Sequence, residues 1–298
     1  MKRTIYTLYI DIPEEDLDIT DDIPKNFVYG HNNTLTRNQR TKQQFELHAS
    51  RLQKCKVKYA NTIGVDYKFF GYDDEYKEFH QMFLEKYPEI THYNIVNFYK
   101  IHLLYKLAEE YDEVLYLDFD AIPMTNESFF DAWDLDKGIC VLHNNDKINP
   151  QDRPLFELGG TIRSPAGKYF NCKAMLMNRG MSAVNDVINT GIIGANSKHL
   201  KQLDYWGGFK ENLDLMTFLV NDREETMFPE NLLKMFGWDN ETLFAYKIKE
   251  NDVPIQWFDS EWHYFYDMEL YIPPETKILH AINKKFETVW RAYEKRNL

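Results

Sequence analysis

The segment Glu113-Val114-Leu115-Tyr116-Leu117-Asp118-Phe119-Asp120-Ala121-Ile122-Pro123 constrains this chain more than any other. Val114 to Leu117 are apolar and read as a short buried strand. Two acids separated by one residue follow at once, and Pro123 closes the run because it cannot donate to a sheet ladder. Carboxylates at the end of a buried strand are costly to desolvate unless a cation compensates them. Residues i and i+2 of a strand point the same way. Where the strand gives way to a loop, both acids can therefore reach one ion or its waters. Hard divalent cations such as Mn²⁺ or Mg²⁺ take oxygen ligands and leave positions open for phosphate oxygens. The bland alternative is a pair of acids that caps a strand and faces water. The position of Asp118 and Asp120 after Val-Leu-Tyr-Leu and behind a long amphipathic helix favours the metal.

The rest of the first half supports that placement. Residues 4–10 read as a first strand and residues 37–54 as a helix with spaced apolar positions at Phe45, Leu47 and Leu52. Residues 65–70 read as a second strand, ended by Gly71. Asp73 or Asp74 can cap a helix that runs to Lys86 and stops before Pro88. A further helix over 93–111 carries Ile95, Phe98, Ile101, Leu104 and Leu107 at helical spacing. This alternation predicts an α/β fold with a mixed, mostly parallel central sheet flanked by helices. In such sheets ligands bind at the carboxyl ends of the strands, where Asp118 and Asp120 lie. Beyond residue 123 the expected elements are strands at 139–143, 175–177 and 188–195, a loop over 150–173, a helix over 227–236 and a last helix from Phe286.

The chain has 298 residues, 44% of them hydrophobic, enough for one large α/β domain or two joined halves. Its formal net charge of −12 excludes nucleic acid as a general partner, because phosphate backbones need a basic surface. A single nucleotide needs only a local cation. Cys55, Cys140 and Cys172 form no CxxC pair and are odd in number, so neither a disulfide framework nor a cysteine zinc site is expected. A reducing, cytoplasmic setting fits them. The apolar run at the N-terminus meets Asp11 too soon for a signal segment or a transmembrane segment.

Three stretches carry a resemblance. Asn97 through Asp120 looks like the donor-site region of nucleotide-sugar transferases with the GT-A fold, closest to glycosyltransferase family 8 and its glycogenin- and galactosyltransferase-like members. Ile188-Asn189-Thr190-Gly191 is similar to that family's Phe-Asn-Ser/Thr-Gly motif near the donor sugar. Lys277-Ile278-Leu279-His280 resembles the strand whose histidine is a third metal ligand. The three span roughly residues 95–285. The resemblance implies a single GT-A-like (Rossmann-like) catalytic domain over 1–298, with a nucleotide-binding half (1–123) and a sugar and acceptor half (124–298). It implies a Mn²⁺ or Mg²⁺ ion on Asp118, Asp120 and His280, a nucleotide-diphosphate sugar donor with UDP as the family default, a glycan or other hydroxyl acceptor, and retention of configuration. The family often places Gly three and Lys six residues after the histidine. Here Asn283 and Phe286 stand there, and Lys284 and Lys285 come earlier, so Lys284 is assigned to the donor site in place of the usual lysine.

The remaining candidates each have a plainer reading. Asn189, Thr190 and Gly191 can offer an amide, a hydroxyl and close backbone approach to a sugar, or form a bulge with local hydrogen bonds. Glu224 and Glu225, in Asp222-Arg223-Glu224-Glu225, can contact the donor, steady an oxocarbenium-like charge or deprotonate the acceptor, or simply favour a helix N-terminus. The sequence does not choose between them. Lys100 stands where the family often carries a basic residue near the nucleotide, and it could equally be a surface lysine. Tyr9 and Asp11, at the end of strand one, border the expected base and ribose position or are ordinary strand-end polar residues, and Phe119 is a further donor-site candidate. Trp206 to Phe209 and Trp257 to Tyr266 are either an acceptor platform or core. A nucleotidyltransferase would need a Gly-rich basic loop after strand one. That place holds Asp11-Ile12-Pro13-Glu14-Glu15-Asp16 instead. A phosphatase would use an Asp-x-Asp nearer the N-terminus, with Thr or Val where Ile122 stands. A lectin-like protein would bind sugar without metal or nucleotide.

Overall fold

The structure is a computed structural model that describes residues 1–13, 37–88, 90–145, 164–221, 236–266 and 271–296. Its architecture is mixed α/β, with a mostly parallel central sheet flanked by helices. Contacts divide the chain into two compact units. One comprises residues 2–100, 115–132 and 259–298. The other comprises residues 101–114 and 133–258, with Met1.

In the first unit, β1 (Arg3–Leu8) pairs in parallel with β2 (Asp66–Phe70), Thr4 opposite Asp66 and Leu8 opposite Phe70. The crossover between them is α1 (Arg37–Ile63), as a parallel pair requires. α2 (Asp74–Lys86) starts at Asp73, whose side chain accepts the Tyr76 N–H at 2.9 Å. α3 (His92–Glu110) and β3 (Glu113–Leu117) each run from one unit into the other. The Thr7 hydroxyl donates to the Leu117 carbonyl at 2.7 Å, which ties β1 to β3. A second, three-stranded sheet orders β4 (Ala121–Pro123), β9 (Ile278–His280) and β8 (Tyr264–Phe265). α4 (Phe129–Ala132) follows β4, and α9 (Phe286–Glu294) begins at the expected residue. Phe286, Val289 and Trp290 pack with Leu52, Phe119, Ile122 and Leu279 in one core cluster. Full burial of each such side chain stabilises the fold by about 1.5–3 kcal/mol.

In the other unit, β5 (Ile139–His143) pairs antiparallel with β6 (Ile188–Asn196) and parallel with β7 (Ile255–Trp257). Gly138 allows the last pairing, since a Cβ there would lie 2.4 Å from the Pro254 carbonyl oxygen. α5 (Ser164–Asn178) and α8 (Asn240–Glu250) pack together, and α6 (Ser197–Leu203) and α7 (Phe209–Asn221) complete the layer.

Two sequence expectations fail here. Residues 175–177 are not a strand, and residues 164–173 are not loop: both belong to α5. Ala174, Met175, Leu176 and Met177 are strong helix formers, and Pro165 in the first turn suits a helix start. The expected helix over 227–236 lies outside the described residues, apart from Phe236, which is not helical. Among the described residues, no helix is long and apolar enough to cross a membrane.

Candidate functional site

β4 and β9 assemble a cluster from residues far apart in sequence. Their antiparallel register sets Ala121 opposite His280. The Ala281 N–H donates to the Asp120 carbonyl at 2.9 Å, and the Ala121 N–H closes a turn onto the Asp118 carbonyl at 2.9 Å. The Asp-x-Asp turn is thereby pressed against the end of β9. His280 Nε2 lies 3.5 Å from Asp118 Oδ2 and 3.5 Å from Asp120 Oδ1. One ligand atom from each of the three side chains lies within 4.8 Å of the others. Two hard carboxylate oxygens and one imidazole suit Mn²⁺ or Mg²⁺, and the cluster leaves room for further ligands. Asp118 keeps 28% of its side chain exposed, so one side of the cluster is open, while Asp120 and His280 are buried.

Cations surround the two acids. Lys284 Nζ is in direct contact with Asp120 Oδ2 and lies 5.1 Å from the centre of the Phe45 ring. Lys284 holds a positive φ of 55°, a strained value for a residue with a Cβ. Lys100 Nζ is 3.7 Å from Asp118 Oδ1, and the Tyr116 hydroxyl donates to the same oxygen at 2.5 Å. Lys100 is buried, so its surface reading is excluded. Burial raises the pKa of both acids. For Asp118 the neighbouring Lys100 and His280 outweigh it, and for Asp120 Lys284 and His280 do, so both stay below the usual carboxylate range. Burial works against a charged His280, but Asp120 and hydrogen bonds to both carboxylates prevail and raise its pKa to about 9.

Behind His280 stands His263, buried, with its Nε2 3.0 Å from His280 Nδ1. A second ring nitrogen engaged in this way fixes the orientation of a ligating imidazole. His263, Trp262 and Tyr266 are all buried, so these members of the Trp257 to Tyr266 stretch belong to the interior and not to an exposed platform. Sequence reasoning placed His263 only among aromatic rings; its spacing from β9 gave no hint of the contact.

Tyr9 stacks on Phe119 with ring centres 4.5 Å apart and planes 9° from parallel. Its hydroxyl is buried and makes no hydrogen bond among the described residues. Asp11 pairs with Lys42 at 3.0 Å. Tyr9, Phe119, Asp118, Asp120, His280, Lys284 and Lys100 all lie in one unit.

Asn189, Thr190 and Gly191 belong to the other unit. The Asn189 side-chain oxygen accepts the Gly191 N–H at 3.0 Å, beside a register shift between β5 and β6. The Thr190 N–H and hydroxyl both donate to Glu241 Oε1, at 2.8 and 3.1 Å. Asn240 Nδ2 donates to the Thr190 hydroxyl at 3.1 Å, and Lys168 pairs with Glu241. Asp239 caps α8 through the N–H groups of Glu241 and Thr242. Asp239 and Glu241 escaped the sequence reading, although an Asp cap ahead of Thr242-Leu243-Phe244 marks a helix start. Glu224 and Glu225 lie outside the described residues.

Comparison with known proteins bears on this arrangement. No curated protein matches the chain. A glycosyltransferase involved in glycosylation of the major capsid of PBCV-1 has 12% identity, full coverage of both chains and a TM-score of 0.39. Galactosyltransferase LgtC, in complex with donor and acceptor sugar analogs, has 11% identity over 99% of this chain and 94% of its own, with a TM-score of 0.46. Mouse xyloside xylosyltransferase 1 has 13% identity over 74% of this chain and 77% of its own, with a TM-score of 0.40. Residues 22–202, well over half of the chain, match the model of Glycosyl transferase family 8. The chain with the Asp118–Asp120–His280 cluster therefore belongs to glycosyl transferase family 8.

Proposed function

We propose that this glycosyltransferase moves a sugar from a nucleotide-diphosphate donor, a UDP-sugar by the family default, to a hydroxyl group of a glycan or similar acceptor. The observation that carries the reading is the meeting of Asp118, Asp120 and His280, with ligand atoms within 4.8 Å, beside the ammonium of Lys284. The three side chains are suited to hold Mn²⁺ or Mg²⁺. The chemistry such an ion supplies is neutralisation of charge on the departing diphosphate.

The protein's own residues do the rest. Asp118 is held in one orientation by Tyr116 and Lys100, and His280 by His263. Lys284 brings a second positive charge, which can turn from Asp120 to a phosphate oxygen. Tyr9, Phe119 and Asp11 are assigned to the base and ribose. Asn189, Thr190 and Gly191 are assigned to the donor sugar. Glu224 or Glu225 is assigned the acid role, steadying positive charge at the anomeric carbon or taking the acceptor proton. Retention of configuration belongs to the same reading. The test is incubation of the full chain with a panel of UDP- and GDP-sugars and Mn²⁺, with released nucleoside diphosphate quantified. Metal-dependent release from one donor is expected. Sugar binding without nucleotide turnover under any metal condition would overturn the reading in favour of a non-catalytic sugar-binding protein.

A further inference from the structure

Lys56 lies within α1 and has no exposed surface. No carboxylate lies within ion-pair distance of it among the described residues. It sits on the buried stripe of the helix with Leu52, Cys55, Tyr59 and Ala60. Burying an ammonium without a paired anion is expensive, and an apolar side chain could fill the same volume. The reason for a lysine must therefore lie in what its head group touches.

Lys56 Nζ donates to the Leu52 carbonyl at 3.2 Å and to the Phe119 carbonyl at 2.8 Å. Phe119 is the middle residue of the Asp-x-Asp turn. The three successive carbonyls of that turn are each held by a different group. Asp118 O accepts from the Ala121 N–H, Asp120 O accepts from the Ala281 N–H, and Phe119 O accepts from Lys56. Only the middle carbonyl depends on a side chain. The peptide that follows it joins Phe119 to Asp120, so its tilt sets where the Asp120 carboxylate points relative to Asp118. With no exposed surface, Lys56 cannot reach a phosphate, and its reach ends at the backbone of the turn.

We propose that Lys56 is a positioning residue: by holding the Phe119 carbonyl it locks the Phe119–Asp120 peptide so that both carboxylates face one divalent cation. The proposal rests on the metal reading given above, and the experiment separates the two. Mn²⁺ is titrated calorimetrically into the full chain, and the bound ion is followed by its electron paramagnetic resonance spectrum. The proteins are wild type, Lys56→Met, Lys56→Arg and Val289→Ala, the last a lesion in the same core cluster that touches no turn carbonyl.

Removing a positive charge near a cation site would, alone, tighten cation binding. A loss in Lys56→Met that Val289→Ala does not share then points to the released carbonyl. The expected result is Mn²⁺ affinity weakened by about tenfold or more, with an altered spectrum, against unchanged affinity and spectrum in Val289→Ala. Affinity in folded Lys56→Met within about twofold of wild type, or tighter, would overturn the proposal. If Lys56→Met fails to fold, Lys56→Arg decides, because it keeps a donor for the carbonyl. Wild-type affinity and spectrum there support the proposal, and a tenfold loss in the folded protein overturns it. Absence of Mn²⁺ binding by wild type would remove the metal reading itself.

Discussion

Two sets of buried or part-buried carboxylates in this molecule are held in opposite ways. Among the described residues, the carboxylates of Asp118 and Asp120 meet side chains only: Lys100, Tyr116, His280 and Lys284. Glu241 accepts the main-chain N–H of Thr190, along with the Thr190 hydroxyl and Lys168. Side-chain partners can swing away and let an ion or a phosphate take their place. A main-chain N–H cannot leave without moving the strand. The proposed function requires the first set to exchange partners, whereas the second fixes the backbone at Thr190.

The sharpest way to break this contrast is Asp120→Ala. It should abolish metal-dependent transfer, by about 10³-fold or more, while thermal unfolding of the metal-free protein stays cooperative. Next comes pH. His280 has a pKa raised to about 9 in the folded, metal-free protein, above the ordinary value near 6.5. Its contribution to stability, about 3 kcal/mol, is fully present below about pH 6.5 and is lost as pH rises through about 9. Melting temperatures of metal-free wild type and His280→Gln should therefore converge at the alkaline end. A cation must displace that proton, so metal affinity should rise over the same interval.

Glu241→Ala sharpens the other side. It strands the Thr190 N–H and should cost about 2–3 kcal/mol in denaturant unfolding with Mn²⁺ affinity unchanged. Were metal binding lost and stability kept, the contrast would be reversed. His263→Phe removes the partner behind His280 and should weaken Mn²⁺ about 10–100-fold by calorimetry, with His263→Gln retaining more of the affinity. The smallest effect is expected from Lys100→Met, about a threefold tightening of metal affinity, because it removes a positive charge that stands at the long distance of 3.7 Å from Asp118.

Much of the architecture up to Pro123 could be read from residue pattern alone. The run Val114 to Leu117, the stripe of α3 and the Asp73 cap are local signals, and they mark β3, α3 and the start of α2. His280 could be paired with Asp118 and Asp120 because the family motif supplies a long-range contact that periodicity lacks. The helix over Ala174 to Met177 was misread because a short apolar run fits strand and helix alike. Lys56 left one trace, a lysine on the apolar stripe of α1 between Leu52 and Tyr59, but its partner lies 63 positions away. His263 and Glu241 likewise act through tertiary contacts, which no local spacing encodes.

In the proposed function Asp118, Asp120 and His280 together hold the cation through which a nucleotide diphosphate is bound. Calorimetric titration of UDP into wild type and Asp120→Ala, each with and without Mn²⁺, tests it most directly. Binding by wild type should require Mn²⁺ and disappear in the variant. Equal binding by both proteins, or UDP binding indifferent to Mn²⁺, would contradict it.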